Sequence, residues 1–157
     1  MPSYTSAPQY EHGLPESLGV LLINLGTPDE PTPKAVRRYL GQFLSDPRVV
    51  EVPRLIWLAI LHGYILRTRP ARSAAAYQKI WTDQGSPLLL HTQDIASSMQ
   101  EKLSARLSGA VNVEVGMSYG NPSIPGALQK LYDQCVRRII VLPLYPQYSG
   151  TTTASVF

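Results

Sequence analysis

The residues with the most chemistry to offer lie in Tyr145-Pro-Gln-Tyr-Ser-Gly-Thr-Thr-Thr153, where two tyrosines, a serine and three threonines crowd into nine positions. They follow the short apolar run Ile139 to Leu144. Such a run behind a helical pattern reads as a buried parallel strand. In open α/β sheets ligands bind just past the carboxyl ends of strands. A loop that merely caps a sheet would look the same, and on this stretch alone both readings stand. Two earlier apolar runs end comparably, in Asn24-Leu-Gly-Thr-Pro28 and in Met117-Ser-Tyr-Gly-Asn-Pro122. Brought to one rim, these ends offer aromatic faces, hydroxyls and amides with few charges. That suits a flat, largely apolar ligand with polar edges, held by stacking and a few hydrogen bonds.

Other chemistries lack their residues. No Gly-x-Gly-x-x-Gly and no Walker-type Lys-Ser/Thr is present, so phosphate cradling is poorly supported, and Gly26-Thr-Pro28 has too few glycines for a dinucleotide turn. Without a Gly-x-Ser-x-Gly elbow, Ser86, Ser118 and Ser149 lack a nucleophile's setting. His12, His62 and His91 fall in unrelated segments, and no pair has the spacing of a zinc site. From the residues alone the reading stops at a pocket rim with no acid, base or metal ligand assigned.

The elements that must position this rim follow from pattern. Gly19 to Leu25 is a continuous apolar run and reads as a strand covered on both faces. Thr32-Pro33 is an N-cap followed by proline at the first helical position, and Val36, Tyr39, Leu40, Phe43 and Leu44 form one helical face. Asp46-Pro47 ends that helix. Leu55 to Leu66 is apolar on nearly every side, with Arg54 before it and Arg67, Arg69 and Arg72 after. It reads either as a core helix or as a hydrophobic lip at a membrane surface, too short to span a bilayer. Ser73 to Ile80 is helical in composition. A long helix is expected from Leu89 to Leu107, with Ile95, Met99, Leu103 and Leu107 as its stripe. Val111 to Val115 is the second strand, and Ser123 caps a helix that should bury Ile124, Ala127, Leu128, Leu131 and Cys135. The predicted class is α/β, a parallel sheet flanked by helices and joined by right-handed crossovers.

Composition bounds the rest. The 157 residues fit one domain, and 44% hydrophobic with 16% charged residues is ordinary for a soluble globular chain. A net charge of +3 without a basic run gives no case for nucleic acid. The single cysteine, Cys135, allows no internal disulfide and suits a reducing compartment. Residues 1–17, polar and carrying Pro2, Pro8 and Pro15, are expected to be a disordered leader, with the folded domain at 18–157.

Five segments in order carry a resemblance. Leu22-Ile-Asn-Leu-Gly-Thr-Pro28, Arg38-Tyr-Leu-Gly-Gln-Phe-Leu-Ser-Asp46, Gly85-Ser-Pro-Leu88, Met117-Ser-Tyr-Gly-Asn-Pro122 and Leu142-Pro-Leu-Tyr-Pro-Gln-Tyr-Ser149 resemble ferrochelatase of the proteobacterial type. The resemblance runs from about Leu18 to Phe157. It implies a Rossmann-like, chelatase-type fold, the first of two such domains with the second missing here. It also implies insertion of Fe2+ into protoporphyrin IX to give protohaem, with porphyrin and Fe2+ as substrates rather than cofactors. By this resemblance Leu25, Tyr77, Ser86, Ser118, Tyr119 and Tyr145 lie on the porphyrin side. Trp57, Ile60, Leu61 and Tyr64 belong to the lip over the pocket mouth, a peripheral contact with the inner face of the cytoplasmic membrane on an otherwise cytoplasmic protein. The family's essential histidine and partner glutamate fall in the other domain, so this chain is expected to hold no catalytic residue and to be inactive alone. Many relatives have arginine where Ser118 stands, and serine cannot pair with a propionate. Gly150 stands where cluster-bearing relatives have a cysteine ligand, so no iron–sulfur cluster is expected. A related chelatase for coproporphyrin or sirohydrochlorin, or a non-catalytic porphyrin-binding domain, are the alternatives.

Overall fold

The computed structural model describes residues 17–150, 152 and 153. In chain order the elements are β1 (Leu18–Thr27), α1 (Pro33–Ser45), α2 (Arg54–Ile60), a π-helical turn (Leu61–Ile65), α3 (Leu66–Ile80), α4 (Pro87–Arg106), β2 (Val111–Gly120), α5 (Ile124–Asp133) and β3 (Arg138–Pro143). The three strands are parallel in the order β2-β1-β3. Both crossovers run through helices, as parallel pairing requires. The expected α/β class is what the chain adopts.

The central strand is β1, and alternation along it divides the core. Val20 and Leu22 pack with Val115, Met117 and Ala96 on the α4 side. Leu21 and Ile23 pack with Ala127 and Leu131 on the α5 side. Both faces are covered, which is why the sequence shows a continuous apolar run rather than alternation. The edge strand β2 has the start of its outer edge met by one side chain. Gln100 Nε2 donates to the Val111 carbonyl at 2.7 Å, and its Oε1 accepts from the Val113 N–H at 2.8 Å. One amide thus takes the place of a neighbouring peptide group.

Local signals set the helix boundaries. Thr32 Oγ1 accepts from the Ala35 N–H at 3.3 Å, and Ser123 Oγ accepts from the Gly126 N–H at 3.2 Å, each with proline inside the first turn. Asp46 closes α1 in extended geometry. The apolar run and the following segment form one nearly continuous helical path, α2 through α3, with the π-helical turn and the buried Pro70 breaking its ladder. The lip and the Ser73 to Ile80 segment are therefore one structural unit.

Five expectations need correction. The third strand, expected to be buried, has Ile139, Ile140 and Leu142 facing outward on an edge of the sheet. Leu61, grouped with the lip, is fully buried with Leu44 and Leu66 and is a core residue. The stripe of α4 is Leu89, Thr92, Ala96, Met99 and Leu103, whereas Ile95 and Leu107 are exposed. A strict four-residue series drifts by about 40° per step round a helix, so Ile95 falls off the packed face that Met99 and Leu103 share, and Leu107 lies past Arg106, the last helical residue. Leu128 is exposed too, and Cys135 lies beyond α5 at a positive φ of 56°, so it is not on a helical stripe. The expected leader falls outside the described residues except for Ser17. That residue is buried, and its hydroxyl donates to the Cys135 carbonyl at 2.8 Å, tying the start of β1 to the turn before β3.

Candidate functional site

The carboxyl ends of the strands do meet along one rim, and glycine makes the approach close enough. Gly26 has φ +114°, and a Cβ placed on it would run into the carbonyl oxygen of Tyr119. Gly120, at φ +86°, faces the Thr27 carbonyl in the same way. Only residues without a side chain fit at both positions, so the ends of β1 and β2 touch backbone to backbone.

Strand alternation then sorts the expected porphyrin-side residues. Leu25 shares parity with Leu21 and Ile23 of the α5-side core, and is half-buried at the rim. On β2, Ser118 shares parity with Gly116, whose Cβ position lies against Ile124 of α5. The Ser118 and Tyr145 hydroxyls are 3.1 Å apart, so the third strand end is joined to the second. Burial raises the Tyr145 phenol above its ordinary range, and the bond to Ser118 offsets part of this. Tyr145 is held protonated, as a hydrogen-bonding group rather than a base.

Ser86 and Tyr119 turn elsewhere. Ser86, the N-cap position of α4, is buried and makes no cap bond; its Oγ accepts from Thr27 Oγ1 at 2.8 Å. Nearby, Asn24 Nδ2 donates to Thr92 Oγ1 at 3.1 Å, which fastens β1 to α4 at a second point. Tyr119 is 7% exposed, with its hydroxyl donating to Asp46 Oδ2 at 2.8 Å and its ring edge-to-face with Phe43 at 5.2 Å. A cleft of about 350 Å³ opens on this side, lined by Thr27, Asp29, Trp81, Ser86, Leu89 and Asn121 among others. Asn121 at 2.8 Å, with Arg38 adding to it against partial burial, holds the Asp29 carboxyl below its usual range.

Tyr77 is half-buried on α3, and its phenol lies beside that of Tyr39 on α1. The Tyr39 hydroxyl donates to the Gly26 carbonyl at 3.2 Å. Burial above all, then the neighbouring phenols, pushes Tyr39 far above the ordinary tyrosine range. Burial also raises Tyr77, offset in part by its bond with Tyr39. Sequence reasoning placed Tyr39 on a core face and missed this role. The signal was a phenol at a position where leucine or phenylalanine would have packed as well; a buried hydroxyl needs a partner.

The lip candidates split by exposure. Leu55 is 86% and Tyr64 67% exposed, and Ile56 and Ile60 also face outward. Trp57 is half-buried, donating its Nε1–H to the Leu44 carbonyl at 2.6 Å. The Arg54 guanidinium donates to the Ser45 carbonyl, anchoring the start of α2 to the end of α1. No helix among the described residues is long and apolar enough to cross a membrane. Among those residues, no three His, Cys, Asp or Glu side chains are grouped to hold a metal ion.

The ferrochelatase family model matches residues 17–157. The ferrochelatase of Idiomarina loihiensis is 54% identical over 154 residues, covering 98% of this chain and 42% of the relative. That of Thioalkalivibrio sulfidiphilus is 58% identical over 148 residues, covering 94% of the chain and 40% of the relative. Ferrochelatase 1 of Shewanella oneidensis is 58% identical over 141 residues, covering 90% and 42%. The chain thus spans about two-fifths of the length of the curated relatives it matches. A family match over nearly its whole length, with three strand ends converging on an aromatic, hydroxyl-bearing rim, establishes that this chain belongs to the ferrochelatase family.

Proposed function

We propose that this chain supplies one wall of the porphyrin cleft of a chelatase that inserts Fe2+ into protoporphyrin IX. The observation carrying this reading is the rim itself: Leu25, Ser118 and Tyr145 on one side of the sheet end, with the two hydroxyls 3.1 Å apart. The half-buried leucine gives an apolar surface for a macrocycle face, and the paired hydroxyls give polar contact at its edge. Iron and porphyrin are substrates, and the strain that helps pyrrole nitrogens release protons comes from binding between two walls. The proton-handling histidine and glutamate belong to the second domain of the two-domain fold. Tyr145, kept neutral, does not replace them. With one wall only, much of the macrocycle stays in water, so residues 1–157 alone are expected to bind porphyrin weakly and to insert no metal.

The exposed Leu55, Ile56, Ile60 and Tyr64, flanked by Arg54, Arg67 and Arg69, suit peripheral contact with the inner face of the cytoplasmic membrane. Such a surface admits a poorly soluble porphyrin from the bilayer interface. No resident cofactor is assigned: Gly150 stands at the cysteine position of the cluster-bearing relatives, and stoichiometric acid-labile sulfide in purified protein would overturn that.

The test is to express the protein from its complete reading frame and compare Fe2+ or Zn2+ insertion into protoporphyrin IX, coproporphyrin and sirohydrochlorin. Multiple turnover with a preference for protoporphyrin is expected. Preference for either other tetrapyrrole, or binding without turnover, would replace the reading.

A further inference from the structure

The face of α1 that looks onto the rim carries Tyr39, Gln42 and Phe43, and the C-cap residue Asp46 follows at i+7 from Tyr39. Each of these side chains touches a strand end. Tyr39 donates to the Gly26 carbonyl at 3.2 Å, and Gln42 Oε1 accepts from the Gly120 N–H at 2.9 Å. Phe43 meets the Tyr119 ring, and Asp46 Oδ2 accepts from its hydroxyl at 2.8 Å. The other carboxylate oxygen, Oδ1, accepts from the Arg48 N–H at 2.7 Å, so the Asp46 side chain is fixed by its own turn before it meets Tyr119. The Asp46–Tyr119 bond joins residues 73 apart in sequence.

We propose that Asp46 is a positioning residue for the porphyrin wall: it holds the Tyr119 phenol back against α1 and thereby fixes the adjacent Ser118 toward Tyr145. The inference rests on the cleft reading above and deepens it. Consecutive strand residues point to opposite faces, so Ser118 and Tyr119 cannot both present their side chains to one surface of a flat ligand. Tyr119 is nearly inaccessible and its hydroxyl is engaged with a carboxylate, a charge-assisted bond. Rotation or fraying at the end of β2 would have to break that bond. The strand end carrying Ser118 is thus set from α1, the element between the first rim segment and the lip. In this account Tyr119 contributes to substrate affinity through Ser118 and not by contact.

The test uses the protein expressed from its complete reading frame, with Asp46→Asn, Tyr119→Phe and the double variant. Asparagine can keep the Arg48 contact through its amide oxygen, which preserves the turn. Each single variant is expected to raise KM for protoporphyrin about fivefold with kcat held within about twofold, and the double variant to add nothing further, as members of one interaction do. Multiplicative effects on KM, or a fall in kcat caused by Tyr119→Phe alone, would overturn the proposal. A second readout is independent of turnover: tyrosine labelled with 13C at Cζ. The Tyr119 resonance should shift in Asp46→Asn and stay in place when protoporphyrin is added to the parent. A Tyr119 signal that moves with porphyrin and ignores Asp46→Asn would make it a direct contact. Failure of the parent to insert metal would remove the chelatase reading while leaving this spectroscopic comparison to decide the Asp46–Tyr119 linkage.

Discussion

The backbone of Gly26 lies so close to that of Tyr119 that no other residue fits: its Cβ would enter the space of the Tyr119 carbonyl oxygen, at a φ of +114°. The rim depends on this contact, because it brings the ends of β1 and β2 together where Leu25 and Ser118 emerge. Gly26→Ala combines a strained backbone with a backbone clash. It should cost on the order of 3 kcal/mol or more in unfolding free energy. Urea titration of the Gly26→Ala and Gly63→Ala variants makes the comparison, since nothing lies within 4 Å of a Cβ at Gly63. Equal losses at the two sites would deny the close approach.

Within the lip segment, exposed and buried residues should behave oppositely. Leu55 and Ile56 face outward, whereas Leu61 is fully buried. Leu55→Ser with Ile56→Ser should leave stability within about 1 kcal/mol and sharply reduce co-sedimentation with anionic liposomes. Leu61→Ala should cost about 2–5 kcal/mol. Trp57 is a poor choice for testing the lip, because it packs in the core cluster and bonds to Leu44. Undiminished liposome binding by the Leu55/Ile56 variant would remove the membrane contact from the account.

Three phenols tie stability to alkaline pH. Tyr39, Tyr77 and Tyr145 all have their protonated forms favoured in the fold, chiefly by burial. In the unfolded chain each titrates near its ordinary value of about 10. Their stabilisation is therefore complete below that pH and is lost as pH rises above it toward the folded values. Urea midpoints should fall between about pH 9 and 11, less steeply in Tyr39→Phe than in the parent. Identical slopes in the two proteins would show that Tyr39 is not held protonated by the fold.

Much of the scaffold is legible in residue type because local chemistry decides it. Thr32-Pro33 and Ser123 cap the helices they were expected to cap, and the apolar run of β1 is covered on both faces. What escapes local reading depends on elements far apart in sequence. The face of α4 that packs inward is set by its contact with β1 and β2, which leaves Ile95 out and Thr92 in. The outer edge of β2 at Val111 and Val113 is satisfied by Gln100, a residue with no local mark of its purpose. The rim follows the same division. Ser118 and Tyr145 were both legible as candidates, but their pairing needed the register of three strands. Tyr39 and Asp46 looked like a core residue and a helix stop; only the fold shows them holding Gly26 and Tyr119.

The rim is tested most directly by KM for protoporphyrin in a Zn2+-insertion assay of the protein expressed from its complete reading frame and carrying Ser118→Ala and Tyr145→Phe together. Loss of both rim hydroxyls should raise KM about tenfold while the circular dichroism spectrum stays that of the parent, since each change removes one polar contact of modest worth. A KM equal to the parent's, with the fold intact, would mean that the porphyrin does not lie against this rim.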